Sequence, residues 1–143
     1  MITREADYAV RAVLELASGT SGRSAAELAR ATQVPYPFLR RVLGRLTAAK
    51  LVKSVRGRSG GVQLARPAGA ISLRDVVRAI DPATITLNAC LLDGGRCSRV
   101  RRCAVHASLA RVQKELWRSL DAVTFDTLVR HEQTTKPNNR RKP

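Results

Sequence analysis

Between Thr3 and Ser18 the polar residues Arg4, Asp7, Arg11, Glu15 and Ser18 fall at spacings of three or four, which draws one narrow polar stripe along a helix. Ala6, Ala9, Val10, Val13, Leu14, Leu16 and Ala17 take the rest of the circumference, so this helix is expected to be buried over a wide face. Ser18-Gly19-Thr20-Ser21-Gly22 breaks it. Ser24-Ala25-Ala26-Glu27 then spells a capping box, with the serine hydroxyl on the first turn and Glu27 reaching back to the cap's own N–H. The helix it opens ends near Thr32, and Thr32-Gln33-Val34 is short enough to be the turn of a helix-turn-helix. Pro35 and Pro37 open the next helix, where a missing N–H costs little.

In that third helix Phe38, Leu39, Val42, Leu43 and Leu46 make the apolar face, and Arg40, Arg41, Gly44 and Arg45 lie elsewhere. Charged residues on a helix usually mark a solvated face. These begin one turn after a helix-turn-helix linker, which makes the helix a candidate recognition helix. Leu51–Val55 and Val62–Ala65 are β-prone runs joined by the glycine-rich Arg56-Gly57-Arg58-Ser59-Gly60-Gly61, the pattern of a hairpin and here of a wing. A phosphate-cradling loop would need a helix to start after Gly61, and none does. Ser72-Leu73-Arg74-Asp75 caps a further helix that turns Val76, Val77, Ala79 and Ile80 inward and stops at Asp81-Pro82.

From Cys103 the pattern is helical again. Val105, Leu109, Val112, Leu116, Leu120 and Val123 form a narrow coiled-coil-like seam, expected to bury against a second subunit. Thr124 is expected to cap a short last helix carrying Phe125, Leu128 and Val129; Thr134 to Pro143 lacks apolar residues and is expected to be a disordered basic tail. The fold class is therefore mainly α: a winged helix-turn-helix domain with a two-stranded wing, plus a long C-terminal dimerisation helix. The expected divisions are 1–82 for DNA binding, 83–103 for a cysteine-containing loop, 104–133 for the dimerisation and terminal helices, and 134–143 for the tail.

Charge changes the picture from fold to partner. Lys and Arg number 26 against 11 Asp and Glu, a formal net charge of +15, and such a field favours a polyanion. Aromatic content of 3% argues against single strands, which are bound by stacking on aromatic platforms, and leaves double-stranded DNA. The DNA-facing set expected is Pro35, Tyr36, Phe38, Arg40, Arg41, Arg45, Arg56, Arg58 and Ser59. No acid–base pair, nucleophile motif or nucleotide loop suggests an enzyme. Binding to a membrane surface fits poorly with Glu115 and Asp121 on the seam helix. The charged start Met1-Ile2-Thr3-Arg4-Glu5-Ala6-Asp7 does not resemble a signal peptide, so a cytoplasmic protein is expected.

Cys90, Cys97 and Cys103 stand in an Arg- and Gly-rich stretch with His106 following. In a reducing compartment, cysteines gathered in one loop are ligands or redox sensors more often than disulfides. The spacing is wider than in a zinc knuckle. Thiolates suit iron–sulfur clusters, which normally take four protein ligands, so three cysteines leave one position open. His106 shares a helix face with Cys103 if both are helical. Arg96, Arg99, Arg101 and Arg102 would lower thiol pKa values nearby; alternatively they serve the DNA field.

Asp7-Tyr8-Ala9-Val10-Arg11-Ala12, the wing Val55 to Gly61 and Ile71-Ser72-Leu73-Arg74-Asp75-Val76-Val77 resemble the Rrf-type family of bacterial regulators, the IscR-like, NsrR-like and RirA-like winged-helix dimers. The similarity runs from Met1 to about Val129. It implies homodimers on partly palindromic sites that sense iron–sulfur status, iron, nitric oxide or redox state. Cys90, Cys97 and Cys103 match the family's three cysteine ligands. His106 matches the fourth ligand of IscR-like members with a 2Fe–2S cluster, and Asp7 matches the carboxylate that NsrR-like members give across the dimer to a 4Fe–4S cluster. Asp7 also suits the helix dipole and an ion pair with Arg11. The chain departs from the family in its longer Cys90–Cys97 spacing, in Arg40 and Arg41 where some relatives carry Glu and Gln, and in Pro35-Tyr36-Pro37 where they carry small hydroxyl residues. The alternative function is a cluster-free thiol switch on the same DNA-binding scaffold.

Overall fold

Small side chains decide how closely the first helix can be approached. In the computed structural model, which describes residues 2–58, 60–92 and 97–135, α1 (Arg4–Ser18) buries Ala6, Ala9, Ala12, Val13 and Leu16 completely or nearly so. Helices α3 (Tyr36–Ala48), α4 (Leu73–Ile80) and α6 (Phe125–Thr135) all pack against it, as does α2 (Ala25–Thr32). The wide buried face expected of α1 is present. Val10, Leu14 and Ala17 form its half-buried margin, and Ala12 joins its centre.

The caps expected at Ser24 and Ser72 form. Ser24 accepts from the Glu27 N–H at 3.2 Å, while the Glu27 carboxylate accepts from the Ser24 N–H at 2.7 Å. Ser72 and Asp75 make the same reciprocal pair at the start of α4. Between α2 and α3 the chain turns through Gln33 in a left-handed conformation (φ 56°), and the buried Val34 donates to the Ala29 carbonyl. Leu39, Val42, Leu43 and Leu46 bind α3 to the core.

Strands β1 (Val52–Val55) and β2 (Gly61–Leu64) pair antiparallel, Val52 opposite Leu64 and Val55 opposite Gly61. Arg23, before α2, exchanges both backbone hydrogen bonds with Val62 and so docks the hairpin onto the helix-turn-helix. Gly61 sits where this crossing happens. Its φ is +104°, and a Cβ there would lie 2.6 Å from the Arg23 carbonyl oxygen, so a side chain is both strained and blocked.

After α4, short 3-10 turns at Pro82–Ile85, Ala89–Leu91 and Val100–Arg102 lead to α5 (Ala104–Ala122). The corner between α5 and α6 pairs with the entry to α4: Leu73 donates to the Val123 carbonyl and Phe125 to the Ile71 carbonyl. Phe125 is fully buried in the same core as α1, a burial that contributes on the order of 2–3 kcal/mol. The last helix runs through Thr135, two residues into the stretch expected to be a tail; residues 136–143, like Ser59 and 93–96, lie outside the described residues. The molecule is a mainly helical winged helix-turn-helix with a two-stranded wing and a long helix near its C-terminus.

The face that α5 turns toward its own chain shares Leu120 with the expected seam but is otherwise built on other residues. Gln113 is its buried residue, and Trp117 and Leu120 are partly covered. Val105 and Val112, two members of the seam, are 63% and 53% exposed. Gln113 donates to the Ile85 carbonyl and accepts from the Leu87 N–H, both at 2.7 Å, and Trp117 Nε1 donates to the same Ile85 carbonyl. These three bonds fasten the segment leading to Cys90 onto α5.

Candidate nucleic-acid interface and cysteine site

The exposed side of α3 carries Tyr36, Pro37, Arg40, Arg41 and Gly44. Pro35 is the N-cap, without a side-chain hydrogen bond, and is also exposed. Phe38, expected on the apolar face, is 43% exposed. The helix turns it away from the core toward Tyr8, whose ring meets it edge-on at 6.3 Å between centroids. An ideal Cβ on Gly44 would meet nothing within 4 Å.

The three arginines expected to project together from α3 are in different situations. Arg41 lies over the Phe38 ring at 5.4 Å and pairs with Glu5 Oε1 at 3.0 Å. Arg45 pairs with Glu5 Oε2 at 3.2 Å and donates to the Ile80 carbonyl at 2.8 Å, at the last turn of α4. Its charge also helps hold the Asp81 carboxyl below its ordinary pKa, after the larger effect of the Thr84 hydroxyl bond. Arg40 alone is exposed with no ion pair or hydrogen bond among the described residues. Sequence reasoning missed Glu5, because a single acid in the first turn of a helix already has a reason to be there. On the wing, Lys53, Arg56 and Arg58 are exposed.

The cysteine residues are free thiols, with Cys97 exposed and Cys90 and Cys103 partly covered. Cys103 is the N-cap of α5, and its sulfur accepts from the His106 N–H at 3.4 Å. The His106 ring reaches the other way, placing Nδ1 3.4 Å from the Cys90 sulfur. One histidine thus touches two of the three cysteines. Among the described residues no three His, Cys, Asp or Glu are gathered closely enough for a single metal ion. A shallow cavity lined by Ser98, Arg99, Arg101 and Arg102 borders Cys103, so the positive charge expected beside the thiols is present. Asp7, the other candidate ligand, pairs with Arg11 at 2.8 Å.

The sequence profile of the Rrf2 family, described as an iron-dependent transcriptional regulator, matches residues 2–131. The chain belongs to the Rrf2 family. Protein aau3 of Rhizobium meliloti is 37% identical to it over 131 residues, which cover 90% of this chain and 84% of that one. Among solved structures it is similar to T. potens IscR, with a TM-score of 0.74 and 24% identity over 95% of this chain and 90% of that chain. It is also similar to CymR, the global cysteine regulator of B. subtilis, with a TM-score of 0.70 and 23% identity over 92% and 97% of the two chains. At those identities the likeness establishes the fold. Rrf2 membership makes the chain a DNA-binding transcriptional regulator, and the family is not one of enzymes. No helix among the described residues is long and apolar enough to cross a membrane.

Proposed function

We propose that this Rrf2-family chain is a cytoplasmic homodimer that binds a partly palindromic duplex operator, and that an iron–sulfur cluster on Cys90, Cys97, Cys103 and His106 sets its affinity. The observation that carries the ligand set is His106 bridging Cys90 and Cys103 through its ring and its backbone N–H. With His106 in contact with two of the cysteines, the histidine is favoured as fourth ligand and with it a 2Fe–2S cluster. Soft thiolates and an imidazole are donors suited to iron in such a cluster. When bound, it supplies a centre whose oxidation state and integrity respond to redox conditions, iron and nitric oxide.

This chain's own residues carry the consequence to DNA. Gln113 and Trp117 tie the segment before Cys90 to α5, α5 packs on α4, and the Ile80 carbonyl of α4 holds Arg45 of the recognition helix. On DNA, Arg40 and Arg41 read base edges beside Pro35, Tyr36 and Phe38, with Arg45 bracing the helix. Arg56, Arg58 and Ser59 of the wing serve phosphates or a narrow minor groove. Two recognition helices in a dimer read half-sites about one helical turn apart.

The test is anaerobic purification with iron and sulfide counts for the wild type, His106→Ala and Asp7→Ala. Stoichiometric sulfide in the wild type and Asp7→Ala, with loss in His106→Ala, is the expected result. Loss in Asp7→Ala instead moves the fourth ligand to α1. A wild type without sulfide after reconstitution leaves the thiol switch, a reading supported by the exposed Cys97. Operator binding should then respond to a thiol oxidant.

A further inference from the structure

Between α4, the turn Pro82–Ile85 and α5 lies a cavity of about 440 Å³, walled by Ile85, Leu91, Leu92 and Trp117 and edged by Arg74 and Arg78. That volume is in the range of pockets for small organic molecules. Its two cations differ. The Arg74 side chain is only 21% exposed; its guanidinium lies over the Trp117 ring at 4.4 Å, and Nη1 pairs with Asp121 at 2.7 Å. Its Nε is buried with no hydrogen-bond partner, and a buried donor left unmade is costly and calls for an explanation. Arg78, one turn further along α4, is exposed and has neither ion pair nor hydrogen bond among the described residues.

The Arg74 guanidinium at the edge, the unengaged Arg78 guanidinium and an aliphatic and aromatic wall describe a ligand with one compact anionic end and an apolar body. A carboxylate matches a guanidinium edge. A phosphate ester would bring more oxygens than these donors satisfy, and Asp121 beside Arg74 repels a second negative charge. We propose that this cavity binds a small organic monocarboxylate, its carboxylate on Arg74 and Arg78 and its carbon frame against Ile85, Leu91, Leu92 and Trp117. The proposal goes beyond the cluster reading and does not depend on it. Arg74 and Arg78 share α4 with Ile80, whose carbonyl holds Arg45, so an occupant would touch the helix that braces the recognition helix.

Trp117 is the chain's single tryptophan, so its emission reports on the cavity wall. The full chain is titrated with phenylacetate and, separately, with the uncharged phenylacetamide, following both Trp117 emission and heat. Phenylacetate should bind saturably with one site per chain, and the amide about tenfold more weakly or worse, the loss of one charged contact. Because Arg74 also braces Trp117 and Asp121, the informative variant is Arg78→Gln at an exposed position. It should keep the wild-type circular dichroism and weaken phenylacetate about tenfold. Equal affinity for acid and amide, no saturable heat, undiminished binding by a folded Arg78→Gln, or a signal lost as protein concentration rises because a second copy fills the cavity would overturn the proposal.

Discussion

Glu5 holds Arg41 and Arg45, on either side of Gly44 along α3, and on the proposed reading of α3 as the recognition helix this would make a first-turn acid of α1 a determinant of what that helix offers DNA. Arg41 must leave Glu5 or carry it along to reach a base edge, whereas Arg40 is free from the start. Glu5→Gln should therefore raise affinity for unrelated duplexes and steepen the salt dependence by about 0.9 in log–log slope for each further phosphate that the released arginines neutralise. Arg40→Ala should instead flatten discrimination between operator variants, a base-edge interaction of this kind being worth about 1–3 kcal/mol. Fluorescence anisotropy over a salt series separates the two. A Glu5→Gln protein with an unchanged slope would mean that the clamp does not limit DNA binding.

At the scale of elements, the caps and the wing were legible in the sequence, because a capping box, a proline at a helix start and a glycine-rich hairpin are local patterns with local causes. Ser24-Ala25-Ala26-Glu27 and Ser72-Leu73-Arg74-Asp75 are such cases. The face that α5 turns toward its own chain was not legible. Its seam of Val105, Leu109, Val112, Leu116, Leu120 and Val123 is a true periodicity, but within the chain α5 packs through Gln113 and Trp117 beside Leu120, and a polar residue buried by two backbone hydrogen bonds leaves no hydrophobic signature. The cysteine residues and His106 stood out by type, while the contact of the His106 ring with Cys90 depends on tertiary packing. Gly61→Ala should destabilise the protein by roughly 1–3 kcal/mol, read as a lower denaturation midpoint, because the Arg23 backbone occupies the space a Cβ needs. Acid should weaken the same elements. Glu27 is held below its ordinary pKa chiefly by the Ser24 N–H, Asp81 by the Thr84 hydroxyl and Asp126 by the Thr124 hydroxyl. A depressed carboxylate contributes stability above its unfolded pKa and loses it as pH falls through the folded value. Stability should thus be flat near neutrality and decline from the ordinary carboxylate range downward, with Ser24→Ala reducing the decline.

Across the whole molecule, α5 has two faces with separate tasks. The inner one closes the cavity and fastens the segment before Cys90; the outer one leaves Val105 and Val112 in solvent. The proposed homodimer would cover that outer face, since a narrow apolar stripe left in water favours a partner. Val112→Asp should convert the proposed dimer to monomer in sedimentation without altering helical content, since the residue stands in solvent on its own chain. A dimer that survives it uses another surface. The open surroundings of Gly44 carry a consequence of another kind. Beyond the helix's own backbone and its chain neighbours, a Cβ begun there meets nothing within 4 Å, and replacing glycine inside a helix stabilises by about 1 kcal/mol. On the proposed reading of α3 as the recognition helix, a side chain at this one codon should alter the preferred promoter sequence without renegotiating the interior, a low-cost entry point for evolving or engineering a new regulon.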